Sequence, residues 1–320
     1  MHYRITQVRI LPPKVIELSI IFGSWIRRGE SNISFLFLLG DEMDRQNLYN
    51  IYQNNLELLE NELGQVKKMT QINLGKLYYA TLEGKELGEI KKNERYVLGS
   101  TRLYTFLLCS WLEARLKKIL YESSSVAFSE RERSIVLSSR TMSEKWKKCL
   151  NISVCKSYGF TFEREINEYI DYFNDCSDEK YCYCKVYEYL GDIEQAVTIR
   201  NRLAHGQWKI QLNSNESNLA SEEITSFFGR YDNIQKLDLL YKVYKLIAEI
   251  ISSYVVYKDK VLTNNFKQEI KDKIFKIENY QQRIMKSDFD KYCNKFYEQD
   301  IQERKSGSHN KGKHSINYKF

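Results

Sequence analysis

Proline occurs only twice in the chain, as Pro12 and Pro13. Its ring clashes with the preceding helical turn and it lacks the N–H that the helical ladder needs, so it is the sharpest helix breaker. Everything after Pro13 is therefore free to form long, unpunctuated helices, and collagen-like or proline-rich classes are excluded. The chain has 320 residues, enough for one large or two modest domains. Hydrophobic residues at 42% against 28% charged support a real core and argue against a disordered chain. The 24 tyrosines offer amphipathic packing surface and stacking platforms.

Lysine and arginine total 49 against 42 acids, a net charge of +7. The stretch from Arg304 to Phe320 holds five of those bases (Arg304, Lys305, Lys311, Lys313 and Lys319) and no acid, which leaves only +2 on the rest. The body does not read as a broad DNA-binding surface. The basic tail reads either as a solvated extension or as a nonspecific contact for RNA or an acidic protein. Seven cysteines, unevenly spaced and without a secretory segment, suggest reduced thiols in a cytoplasmic protein. The best apolar run, Ile33 to Leu39, is far too short to cross a bilayer.

The coarse pattern predicts a mainly α protein in four parts. Residues 1–97 read as a mixed α/β region with a regulatory or recognition role. It has strands at Tyr3 to Ile10 and Leu77 to Thr81, an apolar run at Ile33 to Leu39, a helix from Gln46 to Met69, and breaks at Gly84 and Gly88, with Gly99 just past its end. Residues 98–258 read as a helical bundle, with helices at Arg102 to Tyr121, Met142 to Ser157, Glu163 to Phe173, Tyr183 to Ala204 and Ile224 to Tyr257. Residues 259–305 read as a helical extension, a hairpin packed on the bundle. Residues 306–320 read as a flexible basic tail.

One dense constellation stands out. Of the four histidines, His2 is terminal and His309 and His314 lie in the tail, so only His205 belongs to the folded body. It ends the run Arg200-Asn201-Arg202-Leu203-Ala204-His205, just before Gly206, where a helix is expected to stop. On a continuous helix Arg200 projects into the sector of Leu190, Ile193, Ala196, Val197 and Ala204. A guanidinium there needs a carboxylate, a subunit partner or a polyanion, because unpaired burial is costly.

The set suits metal-independent RNA cleavage. An imidazole titrates near neutrality and can take the proton of a ribose 2′-hydroxyl or give one to the leaving 5′-oxygen. Arg200 can hold the scissile phosphate through its donor fork, and Asn201 can orient His205 or bind phosphate or base. One histidine cannot readily be acid and base together, so a homodimer that joins two Arg-His pairs across a two-fold axis is expected. The alternative is purely structural. A histidine at a helix C-terminus is commonly a cap, and Arg200 can form a salt bridge with Glu113 or another acid of the bundle.

Arg200-Asn201 and His205 together resemble the arginine-x4-histidine signature of HEPN domains, all-helical modules often found as endoribonucleases of toxin-antitoxin, abortive-infection and other antiviral defence systems. The resemblance covers roughly residues 100–257. It implies a HEPN-like bundle with Arg200 and His205 as the catalytic pair and Asn201 as supporting polar residue. It also implies RNA as substrate, no cofactor and no metal, and a partner that restrains or activates the enzyme, such as an antitoxin. Acids near the active arginine are frequent in such bundles, which makes Glu113 of Trp111-Leu112-Glu113-Ala114-Arg115 a candidate partner, while Arg202 is a candidate RNA contact that is expected to face solvent. Glu113 and Arg115 read equally well as solvated surface residues. A noncatalytic helical interaction protein or defence adaptor is the competing function.

Other motifs carry less. Cys176, Cys182 and Cys184 lack the paired spacing of a metal site and read as ordinary thiols. Leu87 to Lys92 contains no phosphate loop. Tyr181, Tyr183, Tyr187 and Tyr189 read as packing residues before base-stacking ones.

Overall fold

The computed structural model describes residues 44–123, 127–163, 168–174, 177–205, 233–257 and 263–306. The described residues are mainly helical and contain no strand. Contacts divide the chain between Met43 and Asp44, so every described residue belongs to one unit. The expected strand at Tyr3 to Ile10, the apolar run at Ile33 to Leu39, Cys176, Gly206 and most of the basic tail lie outside the described residues.

Two long helices set the frame. Helix α1 (Arg45–Leu82) has 38 residues and α2 (Leu87–Leu120) has 34, rods of about 57 and 51 Å. The Asp44 carboxylate accepts from the Asn47 N–H at 2.7 Å and starts α1. The chain reverses through Gly84, whose φ of +61° is open to glycine at little cost, and the two helices pack along one another. The expected strand at Leu77 to Thr81 is instead the last part of α1. Leu74 and Tyr78 fall on one helical face packed into the core, a spacing of four that outweighs the short apolar run. Gly88 and Gly99 do not break the chain; each costs a helix only about 1 kcal/mol, and both sit inside α2. Residue 97 likewise lies within this unbroken helix.

Helices α3 (Glu130–Leu137) and α4 (Met142–Tyr158) both open on reciprocal capping boxes, Ser129 with Glu132 and Thr141 with Glu144. Gly159, at φ +76°, closes α4. The helix expected over Glu163 to Phe173 is reduced, among its described residues, to one 3-10 turn at Ile170–Tyr172. Side chains take its backbone groups instead. The Tyr169 hydroxyl accepts from the Glu163 N–H at 2.6 Å, and the Tyr169 N–H donates to the Tyr183 hydroxyl at 2.8 Å. Tyr158, Phe160, Phe173 and Tyr254 close an aromatic cluster around the turn.

The helix expected from Tyr183 to Ala204 is two, α5 (Asp178–Gly191) and α6 (Ile193–Ala204), which meet at Asp192. Helix α7 (Ile234–Val256) begins at the Asn233 cap, ten residues after the expected start at Ile224, and the intervening 224–232 lie outside the described residues. About half of its residues are buried, and it packs against both α2 and α4. Leu108, Leu112 and Leu116 of α2, Leu150 of α4, Leu203 of α6 and Ile247 and Ile251 of α7 share one core. Each such side chain contributes about 1.5–3 kcal/mol by burial.

Helices α8 (Asn264–Met285) and α9 (Phe289–Lys305) correspond to the expected extension, but they take different partners. Helix α8 lies on α7 and α5, where Lys267 pairs with Glu179 at 2.6 Å, and α9 lies on α1. Close approach of α9 depends on Gly75: a Cβ there would stand 2.6 Å from the Phe296 carbonyl oxygen. Gly75→Val should cost about 1–3 kcal/mol by overpacking. Denaturant melts should report that loss, and amide exchange should quicken selectively in residues 289–305. Exchange in α9 equal to wild type would contradict the contact.

Candidate functional site

Helix α6 is short and amphipathic. Ile193, Ala196, Ile199 and Leu203 are buried and dock on α2 and α4. The break at Asp192 removes Leu190 from this stripe, which turns toward Ile199 and Leu203 and leaves Ala204 exposed. Arg200 therefore stands at the edge of the buried stripe, not in its middle. The rotation also draws Arg202 inward: expected to face solvent, it is partly buried beside Leu203. Asn201 and His205 are exposed.

His205 is the residue that terminates α6. Its φ of −88° and ψ of 17° leave the helical run, and its N–H donates to the Asn201 carbonyl at 3.0 Å. The imidazole side chain is exposed beyond the last turn. Among the described residues no hydrogen bond joins it to Arg200.

Arg200 meets α2. Its charge acts on Cys109 and on Glu113, one turn apart on that helix. The Cys109 thiol donates to the Ala196 carbonyl at 3.2 Å and ties the middle of α6 to α2. Burial pushes that thiol up to about 12, against the pull of the Arg200 charge, so it stays protonated at neutral pH. The direct partner of the Glu113 carboxylate is Lys117, at 3.1 Å. Burial works to raise the Glu113 pKa, but Lys117, then Arg200 and Lys145, hold it below the ordinary carboxylate range. Arg200 thus has a carboxylate within electrostatic reach that is already paired elsewhere. Its Nε is buried without a hydrogen-bond partner among the described residues. Among the described residues the Arg115 Nε and the Trp146 Nε1 are in the same state, so the feature is not peculiar to Arg200.

The depressed Glu113 pKa fixes the sign of a pH effect. A carboxylate whose folded pKa lies below its unfolded value contributes stability that is complete above the unfolded pKa and lost as pH falls through the folded one. Glu113→Gln should therefore lower stability at neutral pH slightly, within about 1 kcal/mol. The difference from wild type should shrink as the pH drops below the usual carboxylate range. Denaturant melts at a series of pH values check this, and a gap that widens in acid would contradict it.

Two features were not legible from spacing. Arg115, open to a surface reading, has a buried Nε with no hydrogen-bond partner. Burial lowers its pKa against the attraction of Glu249 and Glu60. It faces α1 and α7, away from Glu113, since two positions along a helix turn the side chain by about 200°. Cys109 and Lys145 also border Arg200 and Glu113 through contacts across helices, which no local pattern announces.

Cys182 is buried with its thiol pushed up to about 11 by burial, and Cys184 is partly buried. No group of three metal-ligating side chains occurs among the described residues. Tyr183 is a core residue whose hydroxyl donates to the Asn151 Oδ1 at 2.9 Å, while Tyr181 is exposed and hydrogen-bonded to Glu278. No described helix is long and apolar enough to cross a membrane.

Comparison of the chain with protein-family models, with curated proteins and with solved structures gives no match.

Proposed function

We propose that this chain is a metal-independent endoribonuclease of the HEPN type, with Arg200 and His205 as its catalytic pair and Asn201 in support. The observation that carries the reading is the state of Arg200. It is a guanidinium at the edge of a helical core, close to an ionised carboxylate, with a buried Nε that has no hydrogen-bond partner. A saturated salt bridge would favour a scaffold; a guanidinium whose Nε has no hydrogen-bond partner among the described residues is compatible with a phosphate that arrives with the substrate. The exposed His205 imidazole at the end of the same helix supplies a group that can exchange protons with that substrate.

In the proposed reaction a base removes the proton of a ribose 2′-hydroxyl. The 2′-oxygen then attacks the adjacent phosphorus, and the bond from phosphorus to the 5′-oxygen breaks as an acid protonates the leaving oxygen. The products are a 2′,3′-cyclic phosphate and a 5′-hydroxyl. Arg200 neutralises charge on the phosphoryl oxygens. Within one α6, Arg200 and His205 lie about 140° apart on helical geometry. Two copies that join the ends of α6 across a two-fold axis would set one chain's imidazole near the other's guanidinium and supply separate acid and base.

Indiscriminate RNA cleavage harms its host, so the proposal includes a conditional role in antiviral defence or growth arrest, with an inhibitor, antitoxin or activating partner. One observation favours the competing reading of a noncatalytic adaptor: Arg200 lies within charge range of Glu113 at the junction of α2 and α6, where it can hold the two together. Incubation of the purified full chain with single-stranded RNA in EDTA separates them. The nuclease reading expects cleavage, and intact RNA together with an unchanged assembly state would leave the adaptor.

A further inference from the structure

The N-terminal part of α2 borders a cleft of about 600 Å³ between α1, α2 and α9, lined by Asn73, Lys76, Lys92, Asn93, Tyr96 and Arg304. We propose that this cleft binds a nucleoside phosphate through three cations, two amides and one aromatic ring. The inference does not rest on the nuclease reading. Asn93 stands twenty residues before Glu113 on α2, about 30 Å along the helix axis.

The phosphate side of the assignment comes from three cations, of which Lys92 lies over the Tyr96 ring, 5.9 Å from its centroid, and Arg304 is paired with Asp300. Neither Lys76 nor Lys92 has a carboxylate partner among the described residues. Arg304 is held in place on two sides: its Nε donates to Asp300 at 2.6 Å and its guanidinium lies 3.9 Å from the Tyr79 ring centroid. Its terminal nitrogens make no hydrogen bond among the described residues, so a fixed donor pair is presented to the cleft. Glu89 is the one acid on the lining, which leaves the cleft positive.

The nucleoside side comes from the groups beside those cations. Asn93 is only 8% exposed, yet its side-chain amide makes no hydrogen bond among the described residues. Asn93 lines the cleft, so its amide can offer a donor and an acceptor to a ligand there. Asn73 adds a second amide. Together they match the edge of a base or a pair of sugar hydroxyls, for which Glu89 is a further acceptor. Tyr96, 51% exposed, offers a ring face for stacking. The volume suits one nucleotide. A bare phosphate would leave both amides and the ring unused, and a polynucleotide would not be confined to a space this size. No phosphate loop is involved: Gly88 to Lys92 is helix, and side-chain cations take the place of loop amides.

Titration calorimetry of the full chain with ATP, with AMP and with inorganic phosphate, without magnesium, tests the assignment. ATP should bind saturably and at least about tenfold more tightly than phosphate. Lys92→Glu should weaken ATP by about tenfold or more, and Tyr96→Ala should weaken ATP and AMP while leaving phosphate unchanged. Gly88→Phe is the second test, since a Cβ at Gly88 meets open space; it should put a ring into the cleft and weaken ATP binding without lowering the melting temperature. Absence of saturable ATP binding, equal affinity for ATP and phosphate, or binding indifferent to both Lys92→Glu and Gly88→Phe would overturn the proposal. A single-stranded RNA that binds more tightly than ATP, and does so through Lys92, would overturn it in favour of a polynucleotide surface.

Discussion

His205→Ala is expected to lower RNA cleavage in EDTA by about 10²–10⁴-fold, the usual worth of a positioned proton-transfer group, while leaving fold and assembly unchanged. The separation is clean because of where the residue lies. Its side chain is exposed, and the bond that ends α6 is made by its backbone N–H to the Asn201 carbonyl, which alanine keeps. Surface substitutions of this kind usually move stability by less than about 0.5 kcal/mol. Cleavage rate, circular dichroism and solution mass on the same preparation make the check. A folded variant that cleaves at the wild-type rate removes His205 from the chemistry. Arg200 is the less clean site, because it also borders Cys109 and Glu113 at the docking face of α6.

The largest stability effect belongs to Trp111. It is fully buried where α1, α2 and α7 meet, donates its indole N–H to Glu60 at 3.1 Å, and packs edge-on against Tyr241 with centroids 5.2 Å apart. Glu60 also takes Lys245 of α7, at 3.3 Å, so one carboxylate links three helices. Trp111→Ala should cost about 3–5 kcal/mol from the cavity and the lost packing, a large share of the roughly 5–15 kcal/mol that holds a domain folded. Trp111→Phe keeps most of the volume and should lose distinctly less. Chemical denaturation measures both. A Trp111→Ala protein within about 1 kcal/mol of wild type would mean that the junction relaxes around the cavity or contributes little.

The helical class was legible because the absence of proline after Pro13 and the 3.6-residue spacing of Leu, Ile and Tyr point the same way. Met142 to Ser157 matches α4 almost to the residue because a capping box and a terminal glycine mark its ends. Errors arose where tertiary contacts replaced local signals. Leu77 to Thr81 looks like a strand until α9 is seen to pack on that face of α1. Among the described residues of Glu163 to Phe173, hydroxyl groups of Tyr169 and Tyr183 take backbone N–H groups that a helix would have used. The break at Asp192 carries neither proline nor a positive-φ glycine, yet it reset the phase of α6 and with it the setting of Arg200 and Arg202.

Glu113 could be singled out beside Arg200 through the family resemblance, which implies an acid near that arginine. Its pairing with Lys117 could be read from the four-residue spacing. Cys109 could not, since its bond to Ala196 joins residues 87 apart in sequence. The cleft near Asn93 escaped for the same reason: its cations come from three helices, and Arg304 belongs to a segment whose basic charge reads as a tail.

The central claim is that an imidazole and a guanidinium of this chain cut RNA by way of the ribose hydroxyl. The most direct measurement sets a single-stranded RNA beside the same strand made entirely with 2′-deoxyribose, both with purified protein in EDTA. The account predicts cleavage of the RNA to fragments ending in 2′,3′-cyclic phosphate and no cleavage of the deoxy strand. Cutting of both strands, or of neither, would contradict it.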